Sequence, residues 1–316
     1  MILDGAGVPC GLVRGATLFL EDRMYSRRDL AKIALGAFAA ERLLGKPNSM
    51  IRGVTIGVHS RSFSDRTLDD ALAAMVKLGI SSCELWEGHV APPRLSRKGL
   101  REWRENIAIE QFQLVESTAS KAGVKIHAYD YDFAEDFSAR ETERGFEMAK
   151  ELRASVITAS PPPAMVKALN AAAVKAGISV GLRNGDGKKP GDLSNPDDLV
   201  AAIRGNPNIG ICLDVAAFAA AGNDVVKFLI SHLDRTLLVC LRDHGESVAF
   251  GQGSALAAAV LRQMHGRRAT FPAMIDYDSQ GADPVTVVDR SFGFCKQVLT
   301  ARYVAPPAPV PPRKTT

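Results

Sequence analysis

Four apolar runs in this chain end on residues able to do chemistry. They read Val180-Gly-Leu-Arg183-Asn184, Ile211-Cys-Leu-Asp214, Leu238-Val-Cys240-Leu-Arg242 and Ala273-Met-Ile-Asp276. The carboxylates of Asp214 and Asp276 can move protons or, with the thiol of Cys240, hold a divalent cation. Arg183 cannot ligate a metal, because its guanidinium has no free lone pair and stays protonated in proteins. Two buried acids facing each other would be costly without a counter-charge, and a planar fork of donors suits carboxylates. The expectation is therefore that Arg183 sits between Asp214 and Asp276. The alternative is that it swings away to solvent or to a neighbouring loop. Asn184, Cys240 and Arg242 flank these ends and join Arg183 as candidate ligand-binding residues.

A second constellation lies earlier in the chain. Glu84, Trp86 and His89 follow one apolar run, and His127, Tyr129, Asp130, Tyr131 and Asp132 follow another. Aromatic faces beside acids and imidazoles suit a polyhydroxylated ligand, with a sugar ring on Trp86 or Tyr129 and hydroxyls on the acids. Those two rings could equally plug the space as core. Glu84 is the candidate general base, since desolvation beside Trp86 would raise its pKa. Asp214, Asp276, Cys240 and His127 together would suit zinc if the fold assembled them. Gly251-Gln-Gly253-Ser254 before a helix could cradle an anion or serve only as a cap. Asp243-His244 could be an acid–base pair, although adjacent residues on an extended chain point apart.

The elements that must position these groups are legible as eight repeats. Strand candidates are Val54–Val58, Ser82–Trp86, Val124–Tyr129, Ser155–Ala159, Ile178–Leu182, Ile209–Leu213, Thr236–Leu241 and Ala273–Asp276. They are continuous apolar runs, as expected of parallel strands buried on both faces. Amphipathic helical stretches alternate with them. Thr67 or Ser64 is a candidate cap for the first, Gly79 its stop, and Asn195-Pro196 and Asp283-Pro284 read as further helix starts. Eight β-then-α units match an α/β fold of the (β/α)8 TIM-barrel class, whose functional groups lie at the C-terminal strand ends. A doubly wound sheet would carry a Gly-rich turn after its first strand, and Val58-His59-Ser60-Arg61-Ser62-Phe63 has no glycine.

Composition bounds the partners. The 316 residues are 46% hydrophobic and 23% charged, which is ordinary for a soluble globular chain. A net charge of +4, with no basic block interleaved with aromatics, argues against nucleic acid. The five cysteines form no Cys-x-x-Cys pair and read as buried thiols. No apolar run reaches membrane-spanning length. Ser26-Arg27-Arg28-Asp29-Leu30 with the apolar stretch after it resembles a twin-arginine export signal over residues 24–45, which would make the protein periplasmic or exported; without export it would be cytoplasmic. Residues 1–23 fit no signal pattern and read as a non-native or disordered extension. The barrel spans 51–303, and the Pro-rich stretch 304–316 reads as a solvated tail.

Taken together, Ala73-Ala-Met-Val-Lys-Leu-Gly-Ile-Ser-Ser-Cys-Glu84-Leu-Trp86-Glu-Gly-His89, Arg144-Gly-Phe-Glu-Met-Ala-Lys150 and Pro272-Ala-Met-Ile-Asp276-Tyr-Asp resemble the sugar phosphate isomerase/epimerase group of xylose-isomerase-like barrels. The resemblance implies a carbohydrate or keto-sugar ligand, sugar isomerase or epimerase activity, and a divalent cation (Mn, Mg, Co or Zn). That group carries its ligands as His or Glu, Asp, His and Glu after strands five to eight. Only Asp214 is kept here. Arg183, Cys240 and Asp276 stand at the other three places, Gly185 replaces a second histidine, and Ala217 another. The expectation is that the usual ion site is lost and no metal cofactor is needed. The alternative is a non-catalytic descendant that binds a saccharide or a protein partner. A homo-oligomer is compatible with either reading.

Overall fold

The computed structural model of the chain describes residues 46–242, 255–278 and 282–300. The twin-arginine segment, the 1–23 extension, the Pro-rich tail, Gly251-Gln-Gly253-Ser254 and Asp243-His244 lie outside the described residues. Among those described, no helix is long and apolar enough to cross a membrane.

Eight parallel strands close a barrel. They are β1 (Val54–His59), β2 (Ser82–Trp86), β3 (Lys125–Asp130), β4 (Val156–Ala159), β5 (Ser179–Arg183), β6 (Ile209–Asp214), β7 (Thr236–Leu241) and β8 (Ala273–Ile275). Each pairs with the next in sequence, and β8 closes on β1 through Ile56↔Ala273 and Val58↔Ile275. A two-residue strand, Met50–Ile51, folds back antiparallel on Val54 and Thr55 at the start of β1. Every strand expected from the apolar runs is present, shifted by at most a residue or two at its ends.

The helices are α1 (Leu68–Leu78), α2 (Arg97–Asn106), α3 (Glu110–Lys121), α4 (Ala139–Glu151), α5 (Val166–Ala176), α6 (Pro196–Ile203), α7 (Val215–Ala220), α8 (Val225–Ser231), α9 (Ala255–Gly266) and α10 (Pro284–Leu299). Their boundaries follow local chemistry. The Thr67 hydroxyl, rather than Ser64, accepts from Asp70 N to cap α1, and Gly79 at φ 77° closes it in a left-handed turn that favours glycine. Asn195 and Asp283 cap α6 and α10 with proline in the first turn. Ser138 and Glu141 form a capping box on α4.

Two apolar layers result. The outer one lies between strands and helices and holds most of the core, including Ile56, Leu85, Tyr129, Leu182, Leu213 and Phe292. A small inner cluster of Ala128, Val156, Cys212, Leu238, Cys240 and Met274 fills the barrel itself. The β2–β3 ladder slips by one residue: Cys83 faces Ile126, but Glu84 faces Ala128, so His127 is the extra residue of a bulge.

Candidate functional site at the barrel mouth

All eight strands bring a polar group to one network at the C-terminal mouth. Glu84 of β2 is fully buried, and its Oε1 accepts from Thr158 Oγ1 of β4 and from Arg183 Nη2 of β5, each at 2.5 Å. The same guanidinium lies 3.9 Å from Asp130 Oδ1 at the end of β3. His59, ending β1, stands between two acids: Nε2 is 3.0 Å from Asp130 Oδ2, and Nδ1 is 3.3 Å from Asp276 Oδ1. The Asp130 contact is an ion pair rather than an aligned hydrogen bond. After β7, Arg242 donates from Nη2 to Asp214 Oδ2 at 2.5 Å, while its Nη1 lies 3.9 Å from Asp276 Oδ2.

The charges follow from these neighbours. Burial alone would strip the proton from His59, but the fields of Glu84 and Asp276 and the contact with Asp130 outweigh it and raise its pKa to about 10. His59 is therefore an imidazolium at neutral pH. Burial would raise Asp276, yet His59 first and Arg242 next hold it well below the ordinary carboxylate range. Asp130 is held low against its burial by Arg183 and His59. At the rim, Asp132 is solvent-exposed, and its Oδ1 accepts from Ser160 N at 3.1 Å. The protein packed around this open carboxylate costs it part of its hydration, and with the nearby charge of Asp130 this raises its pKa.

Several expectations need correction. Arg183 does not bridge Asp214 and Asp276. It reaches across the barrel to Glu84, and the cation facing those two acids is Arg242. Tyr129 is no sugar platform, because it points outward into the helix layer, where its hydroxyl meets Met148 Sδ at 3.8 Å and its ring meets Phe112 and Tyr131. His127 lies in the bulge three residues before Asp130, away from the mouth acids; burial, with Lys125, lowers its pKa to about 4. The set Asp214, Asp276, Cys240 and His127 is thus not assembled. Cys240 is buried in the barrel interior with its Sγ 3.6 Å from Cys212 Sγ.

Other residues serve as supports. Asn184 clamps the backbone of Asp214, accepting from its N at 2.9 Å and donating to its O at 3.2 Å. Asp214 Oδ1 in turn caps α7 by accepting from Ala217 N at 2.9 Å. His89 is engaged at both nitrogens, with Nε2 donating to Phe63 O (3.2 Å) and Nδ1 facing Ser60 Oγ (2.9 Å). It ties the turns after β1 and β2 together, and burial lowers its pKa. Trp86 is half-buried, edge-on to His89 at 5.5 Å. His59 and Thr158 went unnoticed in the sequence. Both lie at or near strand ends, and His59 completes the rule that located the others.

At the ends of β5 to β8, where the resemblance would put a divalent ion, the side chains are engaged with one another. Arg183 offers no lone pair, Asp214 and Asp276 already face Arg242, and Cys240 faces Cys212. A β-carbon at Gly185 would come 2.3 Å from Asp192 Oδ2, so Asp192 fills the room a second histidine would need. Elsewhere, His59, Glu84 and Asp130 each bring one potential ligand atom within 4.8 Å of the others. Those three are already charge-compensated by Arg183 and by the proton on His59.

Neither the known family models nor the curated proteins contain a match to this chain. Solved structures do match. A D-psicose 3-epimerase determined in the presence of D-fructose superposes with a TM-score of 0.63 at 12% identity, over 78% of this chain and 99% of that one. A sugar phosphate isomerase/epimerase from Parabacteroides distasonis ATCC 8503 gives 0.58 at 15%, over 76% and 95%. A xylose isomerase domain protein from Alicyclobacillus acidocaldarius gives 0.59 at 13%, over 78% and 98%. At such identities the likeness is one of fold: the chain is a (β/α)8 barrel similar in fold to these structures.

Proposed function

We propose that the barrel mouth binds a carbohydrate or keto-sugar and acts on it as an isomerase or epimerase, with guanidinium and imidazolium groups in the charge position of a divalent ion. The observation that carries this reading is Arg242, about one-third exposed and paired with Asp214 and Asp276 at the ends of the very strands that hold the ion in the barrels it resembles. Its donors can hold a ligand carbonyl and stabilise the oxyanion that forms when the adjacent C–H proton leaves. The neighbouring acids accept hydrogen bonds from ligand hydroxyls. Trp86 supplies an apolar face at the rim.

One observation favours binding without turnover. Asp276 and Asp130 are held below the ordinary carboxylate range, which makes them weak bases, and Glu84 is sealed beneath Arg183. Solvent-deuterium incorporation next to the carbonyl, followed by NMR over a panel of ketoses, separates the two readings. Incorporation that disappears in Arg242→Met supports catalysis. Sugar binding without incorporation supports the saccharide-binding descendant. Absence of both removes the carbohydrate assignment.

A further inference from the structure

Two sulfurs meet inside the barrel. Cys212 of β6 and Cys240 of β7 lie in its inner cluster with their Sγ atoms 3.6 Å apart, and neither has exposed surface. They are diagonal neighbours, because Cys212 pairs in register with Leu238 and Cys240 with Asp214. The surroundings leave them facing each other. Met274, the register partner of Cys240 on β8, sends its thioether over Gly57 of β1. A β-carbon at Gly181 of β5 would lie 3.3 Å from Cys212 Cβ, so glycine keeps that flank open for a rotation of the Cys212 side chain. Cys83 and Cys295 belong to the outer layer, on the far side of the strands from this pair. The Cys212 contact and burial push the Cys240 thiol well above its ordinary pKa, so the resting form is a dithiol. The Arg183 guanidinium lies where it feels charge on either sulfur, and it stabilises a thiolate formed there. Joining the two sulfurs asks them to approach by about 1.5 Å.

We propose that Cys212 and Cys240 are a redox pair, closed to a disulfide by a small disulfide oxidant when the barrel opens locally. One thiolate attacks the S–S bond of the oxidant and expels one of its thiols. The second thiolate attacks the resulting mixed disulfide and expels the other. Two electrons pass to the oxidant, the two cysteine protons end on the expelled thiols, and the new bond joins β6 to β7. The cross-link ties the strands beneath Arg183 and Asp214, which are the register partners of Cys212 and Cys240. Once the barrel closes over it, burial shields the bond from reductants.

The test holds the full chain with oxidised glutathione in urea, raised until iodoacetamide labels Cys212 and Cys240 in a parallel sample, so that access is assured. After the urea is removed, intact mass and peptide mapping read the linkage. The expected result is a chain lighter by two hydrogens and a Cys212–Cys240 linked peptide. Dithiothreitol should open that linkage about tenfold or more faster in unfolded than in folded protein. Cys212→Ser should instead leave Cys240 as a glutathione adduct, and Cys240→Ser is the matching variant should the first fail to fold. Labelled thiols without a linkage overturn the proposal. So does pairing spread over Cys83 and Cys295, or a linkage that dithiothreitol opens equally fast in the folded protein.

Discussion

Replacing Arg183 with methionine should unfold the barrel early, and the structure sets the size of the effect. The guanidinium is 14% exposed and is the cation in contact with Glu84, whose carboxylate has no exposed surface. It also faces Asp130 at 3.9 Å. Removing one partner of such a buried pair costs about 3–5 kcal/mol, because the other charge is left uncompensated. For a domain of this size each kcal/mol lowers Tm by roughly 2–4 °C, so Arg183→Met should melt about 10 °C below the parent. Combining it with Glu84→Gln removes both charges and should recover most of the loss. Urea and thermal unfolding of the two variants provide the assay. A single variant within about 0.5 kcal/mol of the parent, as for an ordinary surface site, would refute the reasoning. So would a double variant no more stable than the single one.

The remaining predictions concern the partners of that pair. His59 has its pKa raised from 6.5 to about 10, so its stabilising contribution is complete below pH 6.5 and is lost as pH rises through 10. The change is on the order of 4 to 5 kcal/mol, and a His59→Asn variant should show a flatter stability profile over that window in urea unfolding. Asn184→Ala removes both hydrogen bonds to the Asp214 backbone and should cost about 2 kcal/mol by the same assay. Dialysis against a chelator should leave Tm unchanged, and excess Mn, Co, Mg or Zn should not raise it. A rise of several degrees by mass action would show that an ion displaces the arginines.

The barrel was legible because buried parallel strands write themselves as unbroken apolar runs, and because Thr67, Gly79, Asn195 and Asp283 mark helix ends by chemistry that needs no tertiary partner. The strand-end rule also placed Glu84, Arg183, Asp214 and Asp276 at one mouth. Pairings within it were not legible. A guanidinium on a long flexible stem reaches acids on either side of a barrel, and sequence spacing does not say which. Tyr129 and His127 failed for a sharper reason. In a strand the side chains alternate, so one inserted residue exchanges inside for outside. The bulge at His127 carries no sequence mark, and it sends Tyr129 to the helices while Asp130 turns to the mouth.

The network also behaves as one object, which distinguishes it from a set of independent salt bridges. Arg183 and Arg242 share no acid at ion-pair distance; the chain of contacts between them runs through Asp130, His59 and Asp276. Loss of either arginine leaves His59 facing more uncompensated carboxylate and so binds its proton more firmly, which recovers part of the damage. Loss of both asks one imidazolium to serve acids from both sides. The double variant should therefore cost more than the sum of the singles, by about 0.5–3 kcal/mol. In a His59→Asn background that excess should vanish, since the link carrying it is gone. Simple additivity with His59 intact would mean that two local pairs, rather than a shared charge cluster, hold the mouth together.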